Sequence, residues 1–458
     1  MAEQFDLIIV GTGSGNSIPA SLSAWKIALV EEGVFGGTCL NRGCIPSKMF
    51  VVAADVARTV EQSAALGIHA TLNHVDWHAI RDRTFGRIDP IAAGGDRYRD
   101  HECDNITVVR GHARFVGPNE LDVNGERITA PQILLAAGAR PTVPAIPGLA
   151  TVPFHTSDSI MRVDEVPEHL IVIGGGYIAA ELGHCFGAFG AKVTFVLRSS
   201  RMLRDQDDDI SHAITTAYEQ RFDVVTNATG LRVEELTDGK IALHAQSDGR
   251  SITVVGDALL VATGRTPNGD RLDLDAGAVA ASPDGLRVLT DANLATNVPG
   301  VWAIGDLTNT LQLKHLANLE AKIAFHNIEH HNNPSEWRSI DRSSVPYAVF
   351  SNPQIAAVGL NEREAIEQGI PHVVATKPYG ATAYGWALED TTSFVKVIAH
   401  RETRQVIGAH IIGPQASTLV QPLVQAMHYG HTVDSLAIDV WYIHPALSEV
   451  VENALLDL

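Results

Sequence analysis

The sequence predicts an α/β protein with two strand, glycine turn and helix units, followed by a smaller α+β domain. Three observations carry this. "FDLIIVGTGSGNS" sets an apolar run of β type against clustered glycines; "HLIVIGGGYIAAELGHCFGAFGAKVTFVLR" repeats that pattern with a long helical stretch; and from about residue 338 the chain changes to strands and turns. An apolar strand passing through glycines into a helix builds a parallel sheet, so each of the first two units reads as a Rossmann-like dinucleotide-binding domain.

A length of 458 residues suits about three domains, and 45% hydrophobic with 6% aromatic residues is the composition of a globular enzyme. The net charge of −19 comes without any basic run, which excludes a phosphate-binding nucleic-acid surface. "FDLIIV" is too short for the apolar core of a signal peptide, and no later run approaches a membrane span. The expectation is a cytoplasmic protein with no nucleic-acid or membrane partner.

In the first unit the apolar run leads into Gly11, Gly13 and Gly15, and "KIALVEE" delivers Glu31 twenty residues after Gly11, a spacing that suits a carboxylate on a ribose. Asn16 replaces the third glycine of the fingerprint and Pro19 follows closely, so the helix here should be short and irregular and should stand away from its strand. The second unit is cleaner. Gly174 and Gly176 let the backbone approach a pyrophosphate, Ala179 keeps helix and strand close, and the helix N-terminus favours negative charge. After its next strand, "KVTFVLRSSRMLR" puts Leu197, Arg198 and Arg204 where a cofactor lacking the 2′-phosphate wants an acid, which favours NADPH over NADH.

Later, "TNVPGVWAIGDLTN" ends an apolar strand in Gly305 and Asp306, where the carboxylate suits a ribityl hydroxyl. "RPTVPAIPG" and "ATGRTPNGD" are the best breaks. The division expected is 1–147 and 268–337 as two parts of one nucleotide domain, 148–267 as the other, and 338–458 as the last.

"GGTCLNRGCIPSK" holds two of the four cysteines, Cys39 and Cys44. In a cytosolic chain a close pair points to catalytic, redox-sensing or metal-binding use rather than to a structural bridge. Five positions along an ideal helix separate Cα atoms by ~8.6 Å, whereas a disulfide wants under ~7 Å. If the two bridge, the segment must be a distorted first helical turn, which Gly43 and Pro46 permit. A metal needs more ligands, and neither Cys103 nor Cys185 brings a partner, so no metal is expected; inert buried thiols remain open.

"GGTCLNRGCIPSK" resembles the redox-active motif of the flavoprotein disulfide reductases, the group of glutathione reductase and dihydrolipoamide dehydrogenase. The resemblance covers essentially the whole chain: "GHARFV", "LLAAGARP", the second glycine unit, "ATGRTPN", "AIGD" and "IHPALSEVVENAL" follow in order. It implies FAD and NADPH as cofactors and a C-terminal dimerisation domain. FAD would be held by Gly11, Gly13, Gly15, Glu31, Thr38, Lys48, Ala113, Gly138, Gly305 and Asp306, and the pyridine nucleotide by Gly174, Gly176, Tyr177, Ile178, Ala179, Arg198, Arg204 and Gly264. Lys48 would lie close to the flavin, paired to Glu181, with Tyr177 covering the nicotinamide pocket. Cys44 would face the flavin in a Cys39–Cys44 redox disulfide, and Cys39 would attack the substrate disulfide. Asn16 and Ala137, the latter in place of a usual threonine, are local departures.

The exchange needs an acid and base near Cys39. Among twenty histidines, His444 stands out through Pro445 and Glu449, which match the family's His and Glu pair, supplied in that family by the partner subunit of a homodimer. The first helix, "NSIPASLSAWK", has no arginine for glutathione's carboxylates; Arg198 and Leu197 speak against the NAD-linked dihydrolipoamide branch; and "VENALLDL" lacks the cysteine pair of mercuric reductases. The sequence is most similar to the branch of the family that reduces mycothione, the disulfide of a cysteinyl glucosaminyl inositol thiol. Glutathione-like or dihydrolipoamide-like activity, and a redox sensor without turnover, are the alternatives; two complete nucleotide units argue against the sensor, and retained cysteines and His444 against a purely interacting protein.

Overall fold

A computed structural model describes residues 2–458 as two compact units. The first comprises the chain up to Ser47, Arg81–Thr142 and Arg265–Asp341. Its centre is a five-stranded parallel sheet in the order Val301–Ala303, Gln132–Leu135, Leu7–Val10, Ile27–Glu31, Ile106–Arg110. Leu7, Ile8, Ile9, Ile27, Ala28 and Leu29 have no exposed surface, as strands covered on both faces require. A second, four-stranded sheet contributes Phe115 and Leu121 to the same core as Ile8 and Ile133. Trp302 is fully buried with its indole N–H donating to Gln132 Oε1 at 2.9 Å; burial of such a side chain contributes roughly 1.5–3 kcal/mol, and the bond removes the penalty on its polar atom.

The second unit comprises Lys48–Ile80, Val143–Gly264 and Arg342–Leu458. A parallel sheet of Asp223–Val225, Lys192–Val196, His169–Ile173 and Ala258–Val261 carries the second glycine turn. A five-stranded antiparallel sheet, Tyr347–Val349, Ile355–Gly359, Val406–Ile412, Phe394–His400 and His372–Pro378, forms the C-terminal part with helices Gln421–Tyr429 and Ser448–Leu456. Lys396 of that sheet is almost wholly buried and reaches Asp207 (3.0 Å), Asp209 (2.6 Å) and Glu362 (2.7 Å). Burial works against its charge, but the three carboxylates outweigh it and hold the ammonium's pKa above its ordinary value. This cluster ties the segment opening helix Asp208–Glu219 to the C-terminal sheet.

The first glycine turn does not open into an α-helix. The chain makes a 3-10 turn, Ser14–Asn16, runs through Pro19, and makes another, Ala20–Ala24. The second glycine turn opens a twelve-residue α-helix, Tyr177–Ala188.

Candidate active site

At the first turn Gly11 has φ +104°, and a Cβ there would stand 2.4 Å from the Ala136 carbonyl oxygen. Gly13 and Gly37 pack backbone to backbone: a Cβ on Gly37 would meet Gly13 Cα at 2.7 Å. The close packing expected of a third glycine falls to Gly15, whose Cβ would sit 2.8 Å from Ala136 Cβ and 3.0 Å from Ile9. Asn16 is absorbed by a distant side chain. Arg99 donates from Nε to Asn16 Oδ1 (2.8 Å) and from Nη2 to Asn16 O (2.9 Å). Glu31, at its strand's end, accepts from Thr12 N–H (3.0 Å) and Gly33 N–H (2.8 Å). Thr12 Oγ1 also donates to Oε2 (2.5 Å), which fixes the carboxylate over the turn, fills Oε2 and leaves Oε1 one acceptor position for a hydroxyl. An open glycine backbone beside a fixed acid fits the diphosphate and ribose of a dinucleotide.

The cysteines lie at the junction of two helices. Gly37–Asn41, which carries Thr38 and Cys39, ends at Arg42; helix Cys44–Gln62 starts after Gly43, with Pro46 in its first turn, where the missing N–H is harmless. A Cβ at Gly43 would crowd the Thr38 carbonyl at 3.0 Å. The break brings the two thiols into hydrogen-bond contact, Cys39 half buried and Cys44 exposed. The Cys44 hydrogen bond, then burial and charge repulsion, push the Cys39 thiol far above its ordinary range, while Lys314 pulls it down. Two thiols so close carry one negative charge between them, not two.

In the same unit Ala113, itself buried, begins the strand Ala113–Gly117, and Gly138 lies three residues after Leu135 with φ +66°. Gly305, also at positive φ, donates its N–H to Glu320 Oε2 at 2.7 Å. Asp306 beside it is pushed up by burial, against which Arg265 at 3.8 Å and Lys314 act.

In the second unit Lys48, four residues after Cys44 along its helix, donates to Glu181 Oε2 at 2.6 Å. The other Glu181 oxygen accepts from Phe350 N–H at 3.0 Å, and the Lys48 ammonium lies 4.7 Å from the Phe350 ring centroid. Glu181 sits one turn along the helix from Tyr177, which is 44% exposed, and Ile178 is half buried. Gly174 has φ +127° and closes on Ala262 O (2.2 Å to a Cβ); Gly176 has nothing within 4 Å of a Cβ, so its face is open to a ligand; Ala179 is fully buried. Leu203 N–H bonds Gly175 O at 2.7 Å and folds the 198–204 loop onto the turn. Arg198 is exposed there, Arg204 rests loosely on Asp205 (3.6 Å), and Arg201 is engaged by Asp208 (3.0 Å). Gly264 is exposed at φ +110°. This site fits a second dinucleotide.

His444 Nδ1 is 2.7 Å from Glu449 Oε1, and Glu449 Oε2 accepts from Ala446 N–H at 3.2 Å. The carboxylate only accepts, so Nδ1 carries hydrogen and Nε2 is the ring nitrogen turned away from Glu449. The bond from His444 holds the Glu449 pKa below its usual value. The ring is 72% exposed, and Ile438, Trp441 and Ile443, which precede it in the chain, are large apolar side chains left on the surface.

Sequence reasoning missed Arg99, Phe350 and the role of Lys314. Lys314 lies in the helix-like stretch "LKHLANLEAK"; the others carry no local signal. Among the described residues, no three His, Cys, Asp or Glu side chains converge to hold a metal ion, and no helix is long and apolar enough to cross a membrane.

Two dinucleotide turns, a thiol pair and a His–Glu pair on one chain define a pyridine nucleotide-disulphide oxidoreductase. The chain belongs to this family: residues 5–321 match its pyridine nucleotide-disulphide oxidoreductase model and 345–455 its dimerisation domain. It is a flavoprotein disulfide reductase, and FAD and NADPH are the cofactors of the family's mycothione reductases.

The chain is 45% identical to the mycothione reductase of Mycobacterium tuberculosis (strain H37Rv), each covered in full. It is 34% identical to the mercuric reductase of Staphylococcus aureus, over 94% of this chain and 78% of that one. It is 32% identical to the dihydrolipoyl dehydrogenase of Geobacillus stearothermophilus, over 99% and 96%. Among solved structures, the HOCl-induced flavoprotein disulfide reductase RclA from Escherichia coli superposes with a TM-score of 0.84 at 28% identity, covering 98% and 99%.

Proposed function

We propose that the protein reduces mycothione to two mycothiols at the expense of NADPH, in the cytoplasm, as a homodimer whose dimerisation domain is 338–458 and whose cofactor domains are 1–147 with 268–337 and 148–267. The observation that carries the reductase step is the hydrogen-bonded Cys39 and Cys44 pair at a helix break. Bound FAD would relay two electrons from NADPH to the disulfide form of that pair. Cys39 then attacks one sulfur of the substrate and releases the first thiol; Cys44 attacks the mixed disulfide at Cys39, releases the second and restores the disulfide. The balance is NADPH, a proton and one disulfide to NADP⁺ and two thiols.

His444 Nε2, oriented through Nδ1 by Glu449, takes the proton of Cys39 and returns it to the leaving thiolate. Its exposure and that of the apolar Ile438, Trp441 and Ile443 just before it in the chain support contribution from a partner subunit. The Lys48–Glu181 pair holds the ammonium in place for the flavin. The arginine loop bonded to Gly175 supports NADPH over NADH. Mycothione rests on the 45% identity over the whole chain, with the arginine-free "NSIPASLSAWK" segment and the cysteine-free C-terminus.

The test is NADPH oxidation with mycothione, glutathione disulfide, lipoamide and trypanothione offered separately. Turnover with mycothione alone is expected; preference for another disulfide keeps the chemistry and discards the substrate. Cys39→Ser should abolish turnover while NADPH still bleaches the flavin. His444→Ala should slow exchange roughly 10²–10⁴-fold and leave flavin reduction unchanged; equal slowing of both would remove His444 from its role.

A further inference from the structure

The first glycine turn lacks the element that normally supplies positive charge to a diphosphate. An α-helix places about half a unit charge and several unpaired N–H groups at its N-terminus, and the second turn has such a helix, Tyr177–Ala188. After Gly13 there is only the three-residue turn Ser14–Asn16, too short to build an aligned dipole.

A cation stands in that place. Lys314 Nζ donates to Ser14 Oγ at 2.9 Å, and Ser14 Oγ donates to Asn318 Oδ1 at 3.1 Å. Lys314 and Asn318 are four residues apart on helix Lys314–Glu329, so one helix face grips the hydroxyl in the middle of the glycine turn. The other cation bonded to the turn, Arg99, points its guanidinium at Asn16 and Cys103. Asp306 feels Lys314 too, but Arg265 lies 3.8 Å from it, so Asp306, Arg265 and Lys314 together leave one positive charge in surplus.

We infer that Lys314 is a specificity-determining residue of the FAD site, supplying through its ammonium beside Ser14 the charge for the diphosphate that a helix end supplies at the second turn. This rests on the flavin reading of the first turn. Of the ammonium's three donors one is committed to Ser14, which aims the group at the turn and leaves others for phosphate oxygens. A lysine acts here as a point charge, suited to either phosphate.

The test follows release of FAD from the full-length holoprotein by the rise of flavin fluorescence on dilution, at low and high salt. Lys314→Gln keeps a donor for Ser14 and removes the charge; Lys314→Arg keeps the charge. The expected result is release roughly tenfold faster or more for Lys314→Gln at low salt, the worth of one charge-assisted hydrogen bond, with most of the parent's salt dependence gone. Lys314→Arg should stay near the parent. Parental release and parental salt dependence in Lys314→Gln would overturn the inference. Glu31→Gln, which weakens the ribose end, separates the two levels: if it speeds release and Lys314→Gln does not, the inference alone fails; if neither does, the flavin reading of the turn fails with it. A changed rate of Cys39 alkylation with unchanged FAD release would assign the lysine to the thiol pair and equally overturn the proposal.

Discussion

At Gly174 the chain leaves a strand buried from Leu170 to Ile173 and enters a twelve-residue helix within three residues; at Gly11 it leaves the buried strand Leu7–Val10 and enters two short 3-10 turns. Both begin with a glycine at positive φ closed against a backbone carbonyl, Ala262 in one and Ala136 in the other. Beyond that they diverge. The second is held by its own helix, with Ala179 against the sheet, whereas the first is held from outside, by Arg99 on Asn16 and by Lys314 and Asn318 on Ser14. A nucleotide turn needs a fixed backbone and positive charge, and these arise from a local helix or from side chains brought in by the tertiary fold.

The largest effect expected from breaking this pairing comes at the first glycines. Gly11→Ala forces a Cβ to within 2.4 Å of Ala136 O and should yield colourless protein without flavin. Gly174→Ala meets Ala262 O at 2.2 Å and should keep the flavin while its reduction by NADPH drops about a hundredfold or more, the scale of an ångström misplacement. Visible spectra, with dithionite as a reductant that needs no nucleotide site, read both. Loss of flavin in Gly174→Ala would mean that the two turns are not independent.

Next in size is the charge at the second turn. Replacing Arg198 and Arg204 together by Ala should lower the preference for NADPH over NADH roughly ten- to a hundredfold, the contribution of charge-assisted bonds to a 2′-phosphate. Ratios of kcat/KM for the two nucleotides measure it. An unmoved ratio would return both arginines to the solvated surface and leave the second turn selecting by shape.

Smaller still is the brace of the first turn. Arg99→Ala leaves the Asn16 side chain and carbonyl without their partner and should destabilise the flavin-loaded protein by about 1–3 kcal/mol, read as a lower melting temperature and faster flavin release. Arg99→Lys should rescue in part, because one ammonium does not span Asn16 Oδ1 and O as the guanidinium does. An unchanged melt would show the turn to be self-supporting.

What was legible in the sequence follows the same division. Strand periodicity, glycine spacing and the Cys39 and Cys44 motif are local signals, so the α/β class and both turns could be read directly. The irregular start of the first unit was also legible, from Asn16 and Pro19. How that irregularity is accommodated was not: Arg99 lies 83 residues from Asn16, and Lys314 lies 300 from Ser14. Phe350, whose N–H orients Glu181 from 169 residues away, is hidden for the same reason. A backbone N–H has no residue type to betray it.

The finest test is Asn16→Gly, which restores the fingerprint that the first turn lacks. On pattern alone it should improve the site. The structure leads to the opposite outcome, since the close packing that a third glycine permits is already provided by Gly15 against Ala136 and Ile9. Asn16 is absent from the residues with positive φ, so glycine relieves no strain there. It removes the Oδ1 that Arg99 Nε bonds and adds unfolded-state freedom, each worth about 0.5–1.5 kcal/mol. Asn16→Gly should therefore lower the melting temperature slightly and speed flavin release a few-fold. Made in the Arg99→Ala background it should cost less than in the parent, because part of the bond it breaks is already gone, and the cycle of four proteins isolates that coupling. A glycine that tightened flavin binding in both backgrounds would show that the brace compensates for a poor turn without being needed by a good one.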